Sequence, residues 1–370
     1  MSSPLEIDKP RKRTELAGRI GLVAGSLLAC LVALELVVRA WYGHLYDWPN
    51  LVLNARSALA TTQAAEYVHD DLLGYVPRAG YASKQVNFDS DGFRRTGAGN
   101  PPPSGTNARG GAILAAGDSY TYGDEVADDE TWPADLQALN GRRVVNAGVA
   151  GYGLDQAVLR AETVAAAIHP SAIVMGFIAD DMHRMEVRRL WGAEKPYFEI
   201  VKDDDGGGEL VLRNVPVPPR PDPNRTLTFS QRTLGYSYLF DFVLRRLDLL
   251  EDWFGDHIVV LPRGEGEKIA CLLTKRLARL QQSGGAPVLL VAQYDPYVWK
   301  MRSMAAEQRR ITRHVLDCAR RQGVAVLDTF DAIAAWQPGP SALYSVWHMN
   351  PQGNRLTAAL IAEALRGLGH

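Results

Sequence analysis

The stretch "ILAAGDSYTYGDEV", Ile113 to Val126, decides how the rest of the chain is read. An apolar run stops on Gly-Asp-Ser, with glycines at 117 and 123 on either side of the serine. A short apolar run that ends in a turn reads as a buried strand. In open α/β sheets, ligands collect at the carboxyl ends of the strands. Ser119 therefore stands where a nucleophile would act, provided that a base and donors for an oxyanion reach it from elsewhere.

Working outward, short β-rich runs alternate with helical ones from residue 111 onward. "GAILAAG", "RRVVNAG", "SAIVMGFI", "APVLLVAQ" and "VAVLDTF" read as strands. "TWPADLQAL" (with Thr131 as its cap), "LDQAVLRAETVAAAI", "KIACLLTKRLARLQQ", "AEQRRITRHVLDCARRQ" and "PQGNRLTAALIAEALRGL" read as helices. Continuous Val/Ile/Leu strands separated by helices imply a parallel sheet covered on both faces. Residues 186–262 interrupt the rhythm with a hairpin-like piece turning at Asp203–Gly208 and an aromatic-rich helical run. An insertion of this kind is expected to be a lid or substrate-side cap. Residues 44–110 read as an irregular segment that ends in the linker "GAGNPPPSGTNARGG".

The chain has 370 residues, 40 Lys and Arg against 42 Asp and Glu, and a formal net charge of −2. That near-neutral balance excludes a basic field for gathering phosphates, so no nucleic-acid partner is expected. Cys30, Cys271 and Cys318 make no metal spacing, and no metal or cofactor is expected. Cys271 and Cys318 fall in helical patterns and read most simply as buried small apolar residues.

The N-terminus places a basic flank before a long apolar run. "KPRKRTELAGR" carries Lys9, Arg11, Lys12, Arg13 and Arg19, and Glu35 is the only charge from Ile20 to Val38. The run is long enough for a helix to cross a bilayer, and its basic flank favours a cytoplasmic N-terminus. Trp41 and Tyr42 suit the far interface. The reading is an uncleaved, single-pass inner-membrane anchor, with the folded body periplasmic. A cleaved signal peptide lacks its small-x-small site, and the "LLAC" box at Cys30 is followed by more apolar sequence than a lipoprotein has.

Partners for Ser119 exist at the other predicted strand ends. "VVNAGVAGYG" ends in a glycine-rich turn where Gly151 leaves a backbone N–H open to approach. "IVMGFIADDMHR" ends on Asp180 and Asp181, and "SVWHMNPQGNRL" delivers His348 just before the last helix. The pattern around the serine is not Gly-x-Ser-x-Gly, so it is not the strained elbow of the α/β-hydrolases.

These four blocks, in this order, resemble those of the SGNH/GDSL hydrolase superfamily over residues 111–370, in a membrane-anchored bacterial form. "VNFDSDGFRR" is also of a kind seen upstream in such members. The resemblance implies a three-layer, flavodoxin-like α/β fold with a central parallel sheet. It also implies Ser119 as nucleophile, His348 as base and Gly151 as an oxyanion donor. Two positions depart from the family pattern. Asp180 stands where the family carries an oxyanion asparagine, and a carboxylate only accepts. It is protonated, points elsewhere, or leaves the oxyanion to the N–H groups of Ser119 and Gly151. The family's acid before the histidine is replaced by Ser345 and Val346. A carbonyl such as that of Ser345, or a more distant Asp328 or Asp331, then orients the ring. Asp118 is expected to brace its loop, beside Asp181.

The domains expected are residues 1–43 as tail and anchor, 44–110 as segment and linker, and 111–370 as the hydrolase-like domain. The function expected is hydrolysis or transfer of acyl esters, with O-acetyl groups of cell-surface carbohydrate as the preferred class. The alternatives are a catalytically impaired scaffold for envelope polysaccharide and a lipolytic esterase at the membrane.

Overall fold

The computed structural model describes residues 10–46, 48–54, 65–97, 111–202, 208–220, 227–247, 249–254, 259–261 and 264–369. Lys9, the linker residues 98–110 and most of the turn expected at 203–208 lie outside them. The chain divides into two compact units, residues 1–59 with 221–255, and residues 60–220 with 256–370.

The larger unit is built on five parallel strands: β1 (Ile113–Ala116), β2 (Val144–Asn146), β3 (Ala172–Phe177), β4 (Val288–Ala292) and β5 (Ala325–Asp328). Their order across the sheet is β5-β4-β3-β1-β2. Alternate side chains enter opposite layers, as the period of two in a strand requires. Leu114, Ala116, Ile173, Met175, Val288 and Leu290 face one core, with the helices Leu154–Ile168, Gly266–Gly284 and Arg302–Arg321. Ile113, Ala115, Ala172, Val174, Leu289 and Val291 face the other, with Trp132–Asn140 and Pro351–Gly367. β1 to β4 are buried throughout, with the edge strand β5 half-buried, so Leu290→Ala in β4 would cost about 2–5 kcal/mol. The expected three-layer parallel fold is present.

Local signals set the helix ends. Thr131 accepts from Ala134 N at 3.3 Å, and Asn350 caps the last helix through Gln352 N and Gly353 N. Residues 65–97 are more ordered than a linker-like reading predicts. Tyr67–Asp70 pairs antiparallel with Gly74–Pro77, and Arg94 N donates to Asn146 O at the end of β2. Cys271 and Cys318 are not separate apolar residues. They form a disulfide with a Cα–Cα distance of 5.2 Å, because the successive crossovers β3 to β4 and β4 to β5 place their two helices side by side.

In the smaller unit, Pro10–Trp41 is one continuous helix, and Gly18–Trp41 has the length and composition of a membrane span. The helix Tyr238–Arg246 packs against it. The insertion is therefore split. Its first half, with the antiparallel pair Tyr197–Lys202 and Gly208–Arg213, stays with the sheet, and residues 227–254 join the N-terminal helix.

Candidate active site

Ser119 follows β1 at the first position of a one-turn helix, Ser119–Tyr122. Asp118 caps that turn by accepting from Tyr120 N at 3.0 Å, which aims the serine out of the strand end. The His348 ring, carried by the loop before the last helix, places Nε2 3.0 Å from Ser119 Oγ. The Tyr120 ring lies 5.1 Å from the imidazole, and its hydroxyl donates to Trp347 O at 2.9 Å. A hydroxyl and a ring nitrogen at this distance are within the reach that a nucleophile and its base require.

The far nitrogen of the ring faces a residue that the motifs did not suggest. His348 Nδ1 is buried and 3.4 Å from Glu125 Oε1, an ion-pair distance without hydrogen-bond alignment. Glu125 also gathers the histidine loop itself. It accepts from Val346 N at 3.0 Å, Trp347 N at 3.1 Å and His348 N at 3.4 Å. Burial alone would raise the Glu125 carboxyl, but these three N–H donors, with His348, hold it below the usual glutamate range. Glu125 sits at φ 67, a left-handed conformation uncommon outside glycine, so the surrounding structure imposes it.

Arg94 supplies much of that constraint. Its side chain is wholly buried, and its guanidinium reads the backbone of the Glu125 loop directly. It donates to Tyr122 O at 2.9 Å, Gly123 O at 2.5 Å and Val126 O at 2.6 Å, and pairs with Asp128 at 3.1 Å. The planar fork of arginine suits several fixed acceptors better than a point charge does. The "VNFDSDGFRR" segment thus clamps the loop that carries Glu125.

Gly151 adopts φ +80, and a Cβ there would stand 2.5 Å from the Trp191 ring and 2.9 Å from Tyr75 Oη. Only glycine fits this backbone and this approach. Among the described residues, neither the Ser119 nor the Gly151 N–H has a hydrogen-bond acceptor, so both donors are uncommitted.

The Asp180 carboxylate is engaged by a cation. It is half exposed and paired with Arg184 at 2.9 Å. Arg184 also contacts Asp181 at 3.1 Å and Asp118 at 3.4 Å, tying the ends of β1 and β3 together. Burial raises the carboxyls of both Asp118 and Asp181, and Arg184 opposes it. Asp181 accepts from Ile178 N at 3.2 Å. Both buried acids are braces within the strand-end loops.

Ser345 does not orient the imidazole. The backbone bond between the two residues runs from Ser345 N to His348 O at 2.9 Å, and Nδ1 faces Glu125 instead. Asp328 accepts from Tyr294 Oη and Phe330 N, and Asp331 pairs with Arg309, so neither serves the ring. Sequence reasoning missed Glu125, Arg94, Arg184 and Trp191. The available hint was the acid in "GDSYTYGDEV", shortly after the serine. Nothing in the sequence shows the turn that brings it back to the histidine loop.

The model of the GDSL-like Lipase/Acylhydrolase family matches residues 115–356. Among solved structures, the lipase/acylhydrolase from Enterococcus faecalis is 15% identical, with 70% of this chain and 96% of that one covered and a TM-score of 0.38. The psychrotrophic esterase EstA from Pseudoalteromonas sp. is 11% identical, covering 70% and 98%, with a TM-score of 0.39. A catalytic mutant of an acetylxylan esterase from Geobacillus stearothermophilus is 14% identical, covering 69% and 94%, also at 0.39. No curated protein matches the chain. The family match spans well over half of the sequence, from β1 to the last helix, and the chain belongs to the GDSL-like lipase/acylhydrolase family.

Proposed function

We propose that this protein is a serine-dependent acyl-ester hydrolase or acyltransferase, held at the membrane by its N-terminal helix, that acts on O-acyl groups of carbohydrate. The observation that carries this reading is the line Glu125–His348–Ser119, with His348 Nε2 3.0 Å from the hydroxyl. Ser119 Oγ attacks the ester carbonyl while His348 Nε2 takes its proton. The Ser119 and Gly151 N–H groups receive the oxyanion. Collapse breaks the C–O bond, and the leaving alcohol takes the proton from His348. Water or an acceptor hydroxyl then attacks the acyl-enzyme, His348 again takes the proton, and Ser119 leaves with it. Glu125 faces Nδ1 and the imidazolium charge that forms when His348 takes the proton.

Two exposed tryptophans support a carbohydrate substrate. Trp347, next to His348, is 55% exposed and packs 5.6 Å from the Tyr297 ring, and Trp191 lies against Gly151. Flat aromatic faces beside a polar site suit the C–H faces of sugar rings. The Cys271–Cys318 disulfide supports an oxidising, extracytoplasmic compartment. The anchor helix is built into its own unit through Glu35 and Arg39, which supports a retained helix over a removed leader. The aspartate at 180 is the observation that favours a catalytically impaired scaffold. A fluorophosphonate probe separates the two readings. Labelling of wild type and none of Ser119→Ala supports the enzyme; an unlabelled wild type that binds envelope glycan supports the scaffold. Release of acetate from acetylated polysaccharide, against hydrolysis of long-chain esters, tests the substrate class.

A further inference from the structure

The apolar span contains one acid, and both of its carboxylate oxygens are hydrogen-bonded. Glu35 accepts from Ser237 Oγ at 2.7 Å, Tyr238 N at 2.9 Å and Leu239 N at 2.9 Å, and pairs with Arg39 at 2.7 Å. It thereby caps the helix Tyr238–Arg246, whose first N–H groups would otherwise lack acceptors. Arg39 is fully buried, with its guanidinium 3.8 Å from the Trp48 ring centroid and 4.8 Å from that of Tyr238. Glu35 precedes the end of the anchor helix at Trp41 by six residues, about 9 Å of rise. The cap therefore holds the start of Tyr238–Arg246 below the end of the span, within the roughly 5–10 Å depth of an interfacial helix.

The surface of residues 227–254 matches that depth. Phe229 is 83% exposed and Leu247 61%, with Leu234, Val243 and Leu249 also exposed. Trp41 and Tyr46, at the end of the span, are exposed aromatics of the kind that sit at headgroup level. Three arginines face four acids across residues 227–254, so attraction to anionic lipid is not what the segment offers. From this continuity with the span we propose that residues 227–254 are a membrane foot, lying in the headgroup and acyl boundary of the leaflet where the anchor emerges, with lipid as the occupant of their apolar face. The proposal rests on the anchor reading.

The test uses the full chain with Cys30→Ala, reconstituted in phosphatidylcholine nanodiscs that carry a nitroxide at a shallow or a deep acyl position. An NBD fluorophore is attached at Phe229→Cys, Leu247→Cys, Leu28→Cys or Gln322→Cys, one at a time. Circular dichroism and a monodisperse gel-filtration profile matching those of the Cys30→Ala parent report that each variant is folded. Positions 229 and 247 are expected to lose more than about half their emission to the shallow nitroxide, with Leu28→Cys quenched by the deep one and Gln322→Cys unaffected. The same loss in discs with and without anionic lipid is expected. Quenching at Leu28→Cys without quenching at 229 and 247 overturns the foot and leaves the anchor standing. Absence of quenching at Leu28→Cys overturns the anchor itself. Emission shielded at 229 and 247 but indifferent to the nitroxide shows that a second protein copy covers the face, and also overturns the proposal.

Discussion

Glu125 and His348 lie 223 positions apart in the chain, and the carboxylate of the first collects both the backbone and the ring nitrogen of the second. This one acid stands by the ring nitrogen where the motif supplies no acidic neighbour. It arrives from the nucleophile's own loop and not from the residues before the histidine. The separate contacts also explain why its role is divisible by mutation.

Glu125→Gln keeps an acceptor for the histidine loop but removes the charge facing Nδ1. In a serine triad with known behaviour, amide replacement of the acid costs about 10⁴ in kcat. A loss of roughly 10²–10⁴ in kcat toward a small chromogenic acetate, with KM little changed, is expected here. Wild-type kcat in this variant would mean that Glu125 only docks the loop.

Arg94→Ala removes the clamp on that loop and takes the guanidinium away from the carbonyls of Gly123 and Val126 in the interior. Breaking such a buried charge network costs on the order of 3–5 kcal/mol, readable by urea unfolding. Arg94→Lys restores the charge without the fork and is expected to recover part of the stability but less of kcat. Equal recovery of both would reduce Arg94 to a packing residue.

Gly151→Ala introduces a Cβ 2.5 Å from the Trp191 ring, at φ +80. The turn must shift and carry its N–H away from the oxyanion position. A fall of about 10²–10³ in kcat is expected, the range seen when one oxyanion donor is lost. Acylation of Ser119 by the phosphonate probe should slow in parallel. Unchanged acylation rules the Gly151 N–H out as a donor.

The Glu125 carboxyl lies below its ordinary value of about 4.3 in the folded chain. A depressed carboxylate contributes stability above its unfolded pKa and loses it as pH falls through the folded one. The stability gap between wild type and Glu125→Gln should therefore stay constant above about pH 5 and shrink below about pH 4. A gap that widens on acidification contradicts this sign.

The disulfide closes a loop with a sequence separation of 47. Chain entropy then predicts a contribution of about 4 kcal/mol. Cys271→Ser with Cys318→Ser, or reduction of wild type, should lower the urea midpoint correspondingly while the Ser119 probe still labels at low temperature. A midpoint unchanged by reduction would show that the bond adds nothing to the folded state.

The layers of this fold were legible because a parallel strand is buried on both faces and must be apolar throughout, as in "AILAA" and "IVMGF". The places of Ser119, Gly151 and His348 in the fold were legible because each sits on a short turn after a strand or before a helix, where local backbone rules constrain the residues. The acid was not. A carboxylate can reach an imidazole from any loop that the sheet order brings near, and which loop does so depends on Arg94 holding residues 122–128 in place. The same holds for the disulfide, which exists because neighbouring strands set two helices side by side, and for Glu35, whose ligands are backbone N–H groups of a distant helix. Local pattern carries the elements and the turns between them. Contacts among backbone groups far apart in the chain leave no residue type to read, so only the tertiary structure could decide them.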